Sequence, residues 1–207
     1  MTTPAVSRSG CTGWLRPSRT WSLTPTRSDI TQLLPTICGA AWLRSVAGSS
    51  NPLATAAAAC TPVTNGGFET GDLQAWTTTG ASETISSTPH TGNYSAQLGL
   101  STATNGDSTV KQTITVPSTG GTLSLWYSIT CPDTVQYDWF TTSLQTPLGA
   151  TLATVVAKTC VGSSGWVHVT YNLSSYTNQT IVVVLTSHDD NYGSDPTYTL
   201  VDDVSVQ

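Results

Sequence analysis

The run STVKQTITVPSTGGTLSLWYSIT, residues 108–130, decides the fold. Its first half sets Val110, Gln112, Ile114 and Val116 on one face at a period of two, and its second half does the same with Leu123, Leu125, Tyr127 and Ile129. A strand turns successive side chains to opposite faces, so this alternation marks two half-buried strands. Pro117, Gly120 and Gly121 between them supply turn chemistry. The pattern returns in WVHVTYNL, which offers Val167, Val169, Tyr171 and Leu173, and in TIVVVLT, which offers Ile181, Val183 and Leu185. Short alternating strands separated by Gly, Pro, Asn and Asp predict an all-β antiparallel sandwich.

The chain's 207 residues suffice for one domain with a sizeable core. Only 9% of them are charged, so solubility rests on hydroxyls and amides, a habit of secreted β-proteins. Charge divides the chain. Residues 1–60 carry five Arg and one Asp, whereas residues 61–207 carry two Lys against eleven acids. The break predicts an irregular or disordered arm over 1–60 and a β-sandwich module over 61–207. The arm's arginines are scattered among Trp, Pro, Ser and Thr, which is not the clustered footprint of a nucleic-acid partner. Its composition also suits out-of-frame reading of a GC-rich gene, and it lacks the charged-then-apolar order of a secretory leader. No run approaches the roughly 20 apolar residues of a membrane span.

Cys131 and Cys160 each follow a strand, so a disulfide between neighbouring loops is expected, with two separate buried thiols as the alternative. Such a bridge marks an oxidising compartment. Cys11, Cys38 and Cys60 lie in the arm, and no pair has the Cys-x-x-Cys spacing of a zinc site.

Three segments resemble, in order and spacing, the galactose-binding-like jelly rolls found among carbohydrate-binding modules: NGGFETGDLQAW (65–76), HTGNYSAQLG (90–99) and YTLVDDVSV (198–206). The middle of the chain, LSLWYSITCPDTVQYDWFTTSL with TCVGSSGWVHVTYNL, is similar more narrowly to the sandwich appended to secreted bacterial proteases of the subtilisin and sedolisin kinds. The resemblance implies a secreted, non-catalytic jelly-roll β-sandwich that recognises a glycan or polysaccharide and targets an associated hydrolase or protease domain to it. The alternative it allows is a structural accessory domain of a protease that binds no sugar.

The resemblance also implies a structural Ca2+ held by Glu69 of GGFE and Asp202 of the terminal acid pair, with Asp203 as second choice. Chain parity bears on the same residues. Tyr198, Leu200, Asp202, Val204 and Val206 alternate along one run, which would turn Asp202 toward the apolar set. A carboxylate there needs a cation or strong hydrogen bonds. The other readings are a hydrated sheet edge and hydrogen bonds from loop amides.

Sugar recognition asks for aromatic faces beside amides and carboxylates. In YDWFTTSL, Phe140, Thr142 and Leu144 share one face, leaving Tyr137 and Trp139 to project from the other as a platform, unless something packs over Trp139. In HDDNYGSD (188–195), Tyr192, Asp189 and Asp190 are candidate sugar contacts. Asp189, Asp190, Asn191 and Asp195 could equally serve a second cation, or form a solvated turn. Catalysis is not expected: His90, His168 and His188 are dispersed, and no nucleophile elbow or HExxH helix is present. Glu83 and Asp138 are carboxylates of the kind glycosidases pair, but sequence fixes no distance between them.

Overall fold

The computed structural model describes residues 62–207. The arm expected over residues 1–60, with Cys11, Cys38 and Cys60, lies outside the described residues. Ten strands follow in chain order: β1 (Thr77–Gly80), β2 (Glu83–Ser86), β3 (Ser95–Gly99), β4 (Asn105–Thr115), β5 (Thr122–Thr130), β6 (Trp139–Gln145), β7 (Thr151–Thr159), β8 (Val167–Asn172), β9 (Thr180–Asp190) and β10 (Tyr198–Val206). They form two five-stranded antiparallel sheets, β1-β4-β9-β6-β7 and β2-β3-β10-β5-β8. The chain changes sheet at nearly every connection, as in a jelly roll, and only β2–β3 and β6–β7 pair as sequence neighbours within a sheet.

The alternation read from residues 108–130 is the core. Val110, Ile114 and Val116 of the β4 segment face Leu123, Leu125 and Ile129 of β5 across the sandwich, all buried, and Phe68, Phe140, Leu144, Ile181 and Leu185 fill the same layer. Each fully buried Leu, Ile or Phe contributes about 1.5–3 kcal/mol. Strand β9 departs from strict alternation, because Val182 and Val184 are buried as well as Ile181, Val183 and Leu185. Its central place explains this: Thr113 and Lys111 of β4 lie beside Val182 and Val184 on one flank, and Gln145 and Ser143 of β6 lie beside them on the other.

Strand β10 corrects the simple parity reading. Asp202 lies opposite Trp126 and Ser205 opposite Ser124, so two residues of β10, Asp203 and Val204, match the single Leu125 of β5. This is a β-bulge, with Asp203 at φ 50°, and one extra residue exchanges the faces. Before the bulge Val201 and the buried Thr199 point inward; after it Val204 and Val206 do. Asp202 therefore shares the outer face with Trp126 and is not among the core side chains, although it is completely shielded from solvent.

Cys131 and Cys160 form the expected disulfide, with Cα atoms 5.2 Å apart. The bridge joins the end of β5 in one sheet to the end of β7 in the other. Across a separation of 29 residues it stabilises by about 3–4 kcal/mol through the unfolded state. Replacing both cysteines by Ser is expected to lower Tm by roughly 6–14 °C without changing the far-ultraviolet circular dichroism spectrum. Calorimetry with and without reductant checks this, and a reductant-insensitive wild-type melt would contradict it.

Candidate functional site

At one end of the sandwich, four segments converge: the loop after β5, the head of β6, the end of β9 and the β9–β10 loop. They bring Asp133, Asp138 and Asp190 together, with one carboxylate oxygen from each lying within 4.8 Å of the other two. A cleft of about 220 Å³ opens there, lined by Asp133, Tyr137, Asp190, Tyr192 and Asp195. The tyrosines are 50% and 63% exposed, respectively, and flank the acids.

These acids differ in how they are satisfied. Asp189 is buried and fully engaged: Oδ1 accepts the amides of Thr104 at 3.2 Å and Asn191 at 2.7 Å, and Oδ2 accepts that of Thr197 at 2.7 Å. It staples the loop and has little left for a ligand. Asp190 accepts the Tyr192 amide at 2.9 Å and remains exposed at the cleft. Asp138 is 1% exposed; its Oδ1 accepts the Asp190 amide at 2.8 Å, while Oδ2 takes no amide among the described residues and has only the Thr197 hydroxyl beside the carboxylate. Oδ1 of Asp195 is likewise shielded and unpartnered. Burial, reinforced by the neighbouring negative charges, raises the pKa of both Asp138 and Asp195 above the ordinary aspartate range.

Trp139 stands on the outer face of the first sheet, as parity requires, but its ring is not bare. The Lys158 ammonium sits 3.7 Å from the ring centroid, and His188, its cross-strand partner, stacks at 5.1 Å and 6°. The His188 imidazole is held in turn by Asp107 at 2.6 Å. Asp107, His188, Trp139 and Lys158 thus form one row of cation–π and charge-assisted contacts across the strands. Tyr137, at the cleft two residues before Trp139, is the uncovered aromatic of the pair. Glu83 lies on β2 and Asp138 just before β6 of the other sheet, the former accepting the Thr109 amide at 2.8 Å and the latter that of Asp190.

The second sheet carries a different cluster. Trp126 is sandwiched between His90 at 3.9 Å and His168 at 4.6 Å, both 17° from its plane, and the Ser124 hydroxyl meets His168 Nε2 at 2.8 Å. Trp166 packs edge-on against His90. Sequence reasoning missed this stack. Its only signal was parity, which turns Trp126 outward with Ser124 and Ser128 whenever Leu125 and Tyr127 turn inward.

The carboxylates implied as calcium ligands lie beside this stack. Asp202 Oδ2 accepts the amides of His90 at 2.8 Å and Thr91 at 3.2 Å, and Oδ1 that of Asp203 at 2.7 Å. Asp203 accepts from the Thr91 hydroxyl and pairs with His90 Nδ1, each at 2.7 Å. Glu69 accepts the amides of Asn93 at 2.8 Å and Tyr94 at 3.0 Å, and the Asn93 side-chain amide at 3.0 Å. Backbone hydrogen bonds hold Glu69 below the ordinary carboxylate range. Donors point at these oxygens where a calcium shell would gather acceptors. The set is an anion clamp, with at least one hydrogen bond on every carboxylate oxygen. Two glycines permit it. A Cβ on Gly66 would lie 1.8 Å from the Val204 carbonyl oxygen, and one on Gly92 would lie 2.4 Å from Glu69 Oε1.

No known family profile matches the sequence, and no curated protein matches it either. Solved structures do match in fold. A family 61 carbohydrate-binding module in complex with β-1,4-galactotriose aligns over 71% of this chain and 97% of its own, at 14% identity and a TM-score of 0.50. A family 16 carbohydrate-binding module aligns over 70% and 99% at 12% identity and a TM-score of 0.46. The xylan-binding CBM22-1 domain of Paenibacillus barcinonensis Xyn10C aligns over 68% and 90%, at 18% identity and a TM-score of 0.43. The first of these establishes the class of architecture: the β-sandwich of carbohydrate-binding modules, as the three sequence segments implied.

Burial raises the Asp202 pKa above the ordinary aspartate range, against the pull of its amide donors. The folded chain then binds that proton more tightly than the unfolded chain does. Asp202's contribution to stability therefore declines as pH rises from the ordinary aspartate range through the raised value. Asp202→Ala is expected to destabilise by about 2–4 kcal/mol, because it strips buried amides of their acceptor. The loss should be equal in calcium and in chelator, and Asp202→Asn should abolish the pH-dependent component. Urea titrations across pH check both, and a loss confined to calcium-containing buffer would overturn the anion-clamp assignment.

Proposed function

We propose that this chain is a non-catalytic glycan-binding module that recognises a polysaccharide at the acidic cleft. The observation that carries the reading is the pairing of two exposed tyrosines, Tyr137 and Tyr192, with the carboxylates of Asp133 and Asp190 in one cleft. Tyrosine faces suit the C–H surface of a sugar ring, and carboxylate oxygens accept from its hydroxyls. Support comes also from the architecture shared with a module solved in complex with a galactotriose. Asp189 acts behind the cleft as the staple of its loop, and Trp139, capped by Lys158, supports the segment bearing Tyr137. The disulfide supports an extracellular setting. Joined to or associated with a hydrolase, such a module holds the enzyme at its polymer by raising effective concentration.

Tyr137→Ala and Tyr192→Ala are each expected to weaken polysaccharide retention roughly 2- to 12-fold, with the melting temperature unchanged. Affinity electrophoresis through galactan, xylan and mannan gels, with titration calorimetry on the best of them, provides the measurement. Wild-type protein that no polysaccharide retards would sink the glycan reading and favour the accessory-domain alternative.

A further inference from the structure

We propose that the acidic cleft holds a divalent cation, for which calcium is the fitting ion, bound by Asp133, Asp138 and Asp190 and completed by Asp195 and water. The proposal does not depend on the glycan reading. It moves the cation away from Glu69, Asp202 and Asp203, and away from Asp189, to acids that keep an oxygen without an amide donor.

Geometry comes first. Two oxygens on one calcium at 2.3–2.6 Å stand no more than about 5 Å apart. One oxygen each from Asp133, Asp138 and Asp190 meets that limit, all lying within 4.8 Å of one another. The second observation is independent. Asp138 is 1% exposed, and its Oδ2 has no amide donor among the described residues, only the Thr197 hydroxyl beside it, although Oδ1 takes the Asp190 amide. A buried carboxylate oxygen without a partner is costly unless a proton or a cation meets it. Asp195 Oδ1, also shielded, repeats the deficit on the opposite loop. Asp189 and Asp202, also buried, have donors on both oxygens. The fold is therefore able to supply amides to buried acids, and at Asp138 and Asp195 it leaves one oxygen of each without one.

Charge and rigidity agree. Among the described residues, those lining the cleft include no Lys, Arg or His. Asp133 is two residues from the Cys131–Cys160 bridge, Asp138 immediately precedes β6, and Asp190 is the last residue of β9. The ligands thus hang from strand ends and a cross-link. An all-oxygen, partly open site of irregular geometry suits calcium better than magnesium, which demands a near-ideal octahedron. Bound there, the ion would tie the β5–β6 loop to the β9–β10 loop, the two segments that carry Tyr137 and Tyr192.

The full chain, stripped with chelator and dialysed, is melted with calcium, with magnesium and with chelator. At about 100 times the dissociation constant, calcium is expected to raise Tm by roughly 5–10 °C. Asp133→Asn and Asp190→Asn should each lose most of that rise while melting no lower than wild type in chelator, because removing a charge relieves repulsion among the acids. Asp203→Asn should keep the rise. As a second readout, terbium bound at the cleft should emit under tyrosine excitation, with calcium competing the emission away and Asp190→Asn reducing it. An unmoved wild-type melt, a rise that survives in both cleft variants, or one lost in Asp203→Asn alone would each overturn the site. Neither readout uses a sugar, so a module that binds calcium but no polysaccharide fails only the glycan reading.

Discussion

A carboxylate cut off from water must be met by donors, and the rim of this sandwich is organised around that requirement at Asp202. Three backbone amides close on it, from His90, Thr91 and Asp203. The geometry depends on the bulge of β10, which sets Asp202 and Asp203 side by side on the outer face and still returns Val204 and Val206 to the core. It depends equally on the absence of a side chain at Gly66, whose carbonyl accepts from the Val204 amide at 2.9 Å. The turn at Gly66, the His90 loop and the last strand are distant in sequence, and the Asp202 carboxylate together with the Val204–Gly66 hydrogen bond ties them together.

From that clamp the outer surface of the second sheet follows. His90 is held by Asp203 through Nδ1, which orients its ring over Trp126, and Trp126 lies in turn against His168. A tryptophan facing solvent on a sheet would ordinarily be a candidate platform for a ligand. With both faces covered by imidazoles, Trp126 instead extends the apolar cover over the amides that serve Asp202. The first sheet treats Trp139 similarly with Lys158 and His188. The tryptophan faces on the two sheets are therefore covered internally, and the two most exposed aromatics, Tyr137 and Tyr192, stand at the acidic cleft.

The strands were legible in the sequence because burial on one face writes a period of two, and Val110 to Val116 and Leu123 to Ile129 kept to it. The disulfide was legible because both cysteines follow strands that the sandwich brings to the same end. What parity could not reveal was the bulge: a single extra residue inverts every later side chain, and Asp203 carries no glycine to announce its left-handed backbone. The site was only half legible for a related reason. HDDNYGSD announced acid, but which acids were free depended on amides from Thr104 and Thr197, and on Asp133 and Asp138 from another loop. Contacts across such separations are set by topology, and local composition has no term for them.

The two ends of the molecule accordingly solve one electrostatic problem in opposite ways. At the Asp202 end, every carboxylate oxygen of Glu69, Asp202 and Asp203 takes a hydrogen bond, and the result is a joint that ties distant segments together. At the Asp138 end, shielded oxygens on two acids lack amide donors and the neighbouring charges repel one another. A whole domain is stable by only about 5–15 kcal/mol, so an unmet group worth a few kcal/mol is a substantial concession. Proteins retain such local inconsistencies mainly where something other than the fold requires them. That asymmetry sets the acidic end, with its unmet charge, apart from the fully satisfied end that keeps the rest in place.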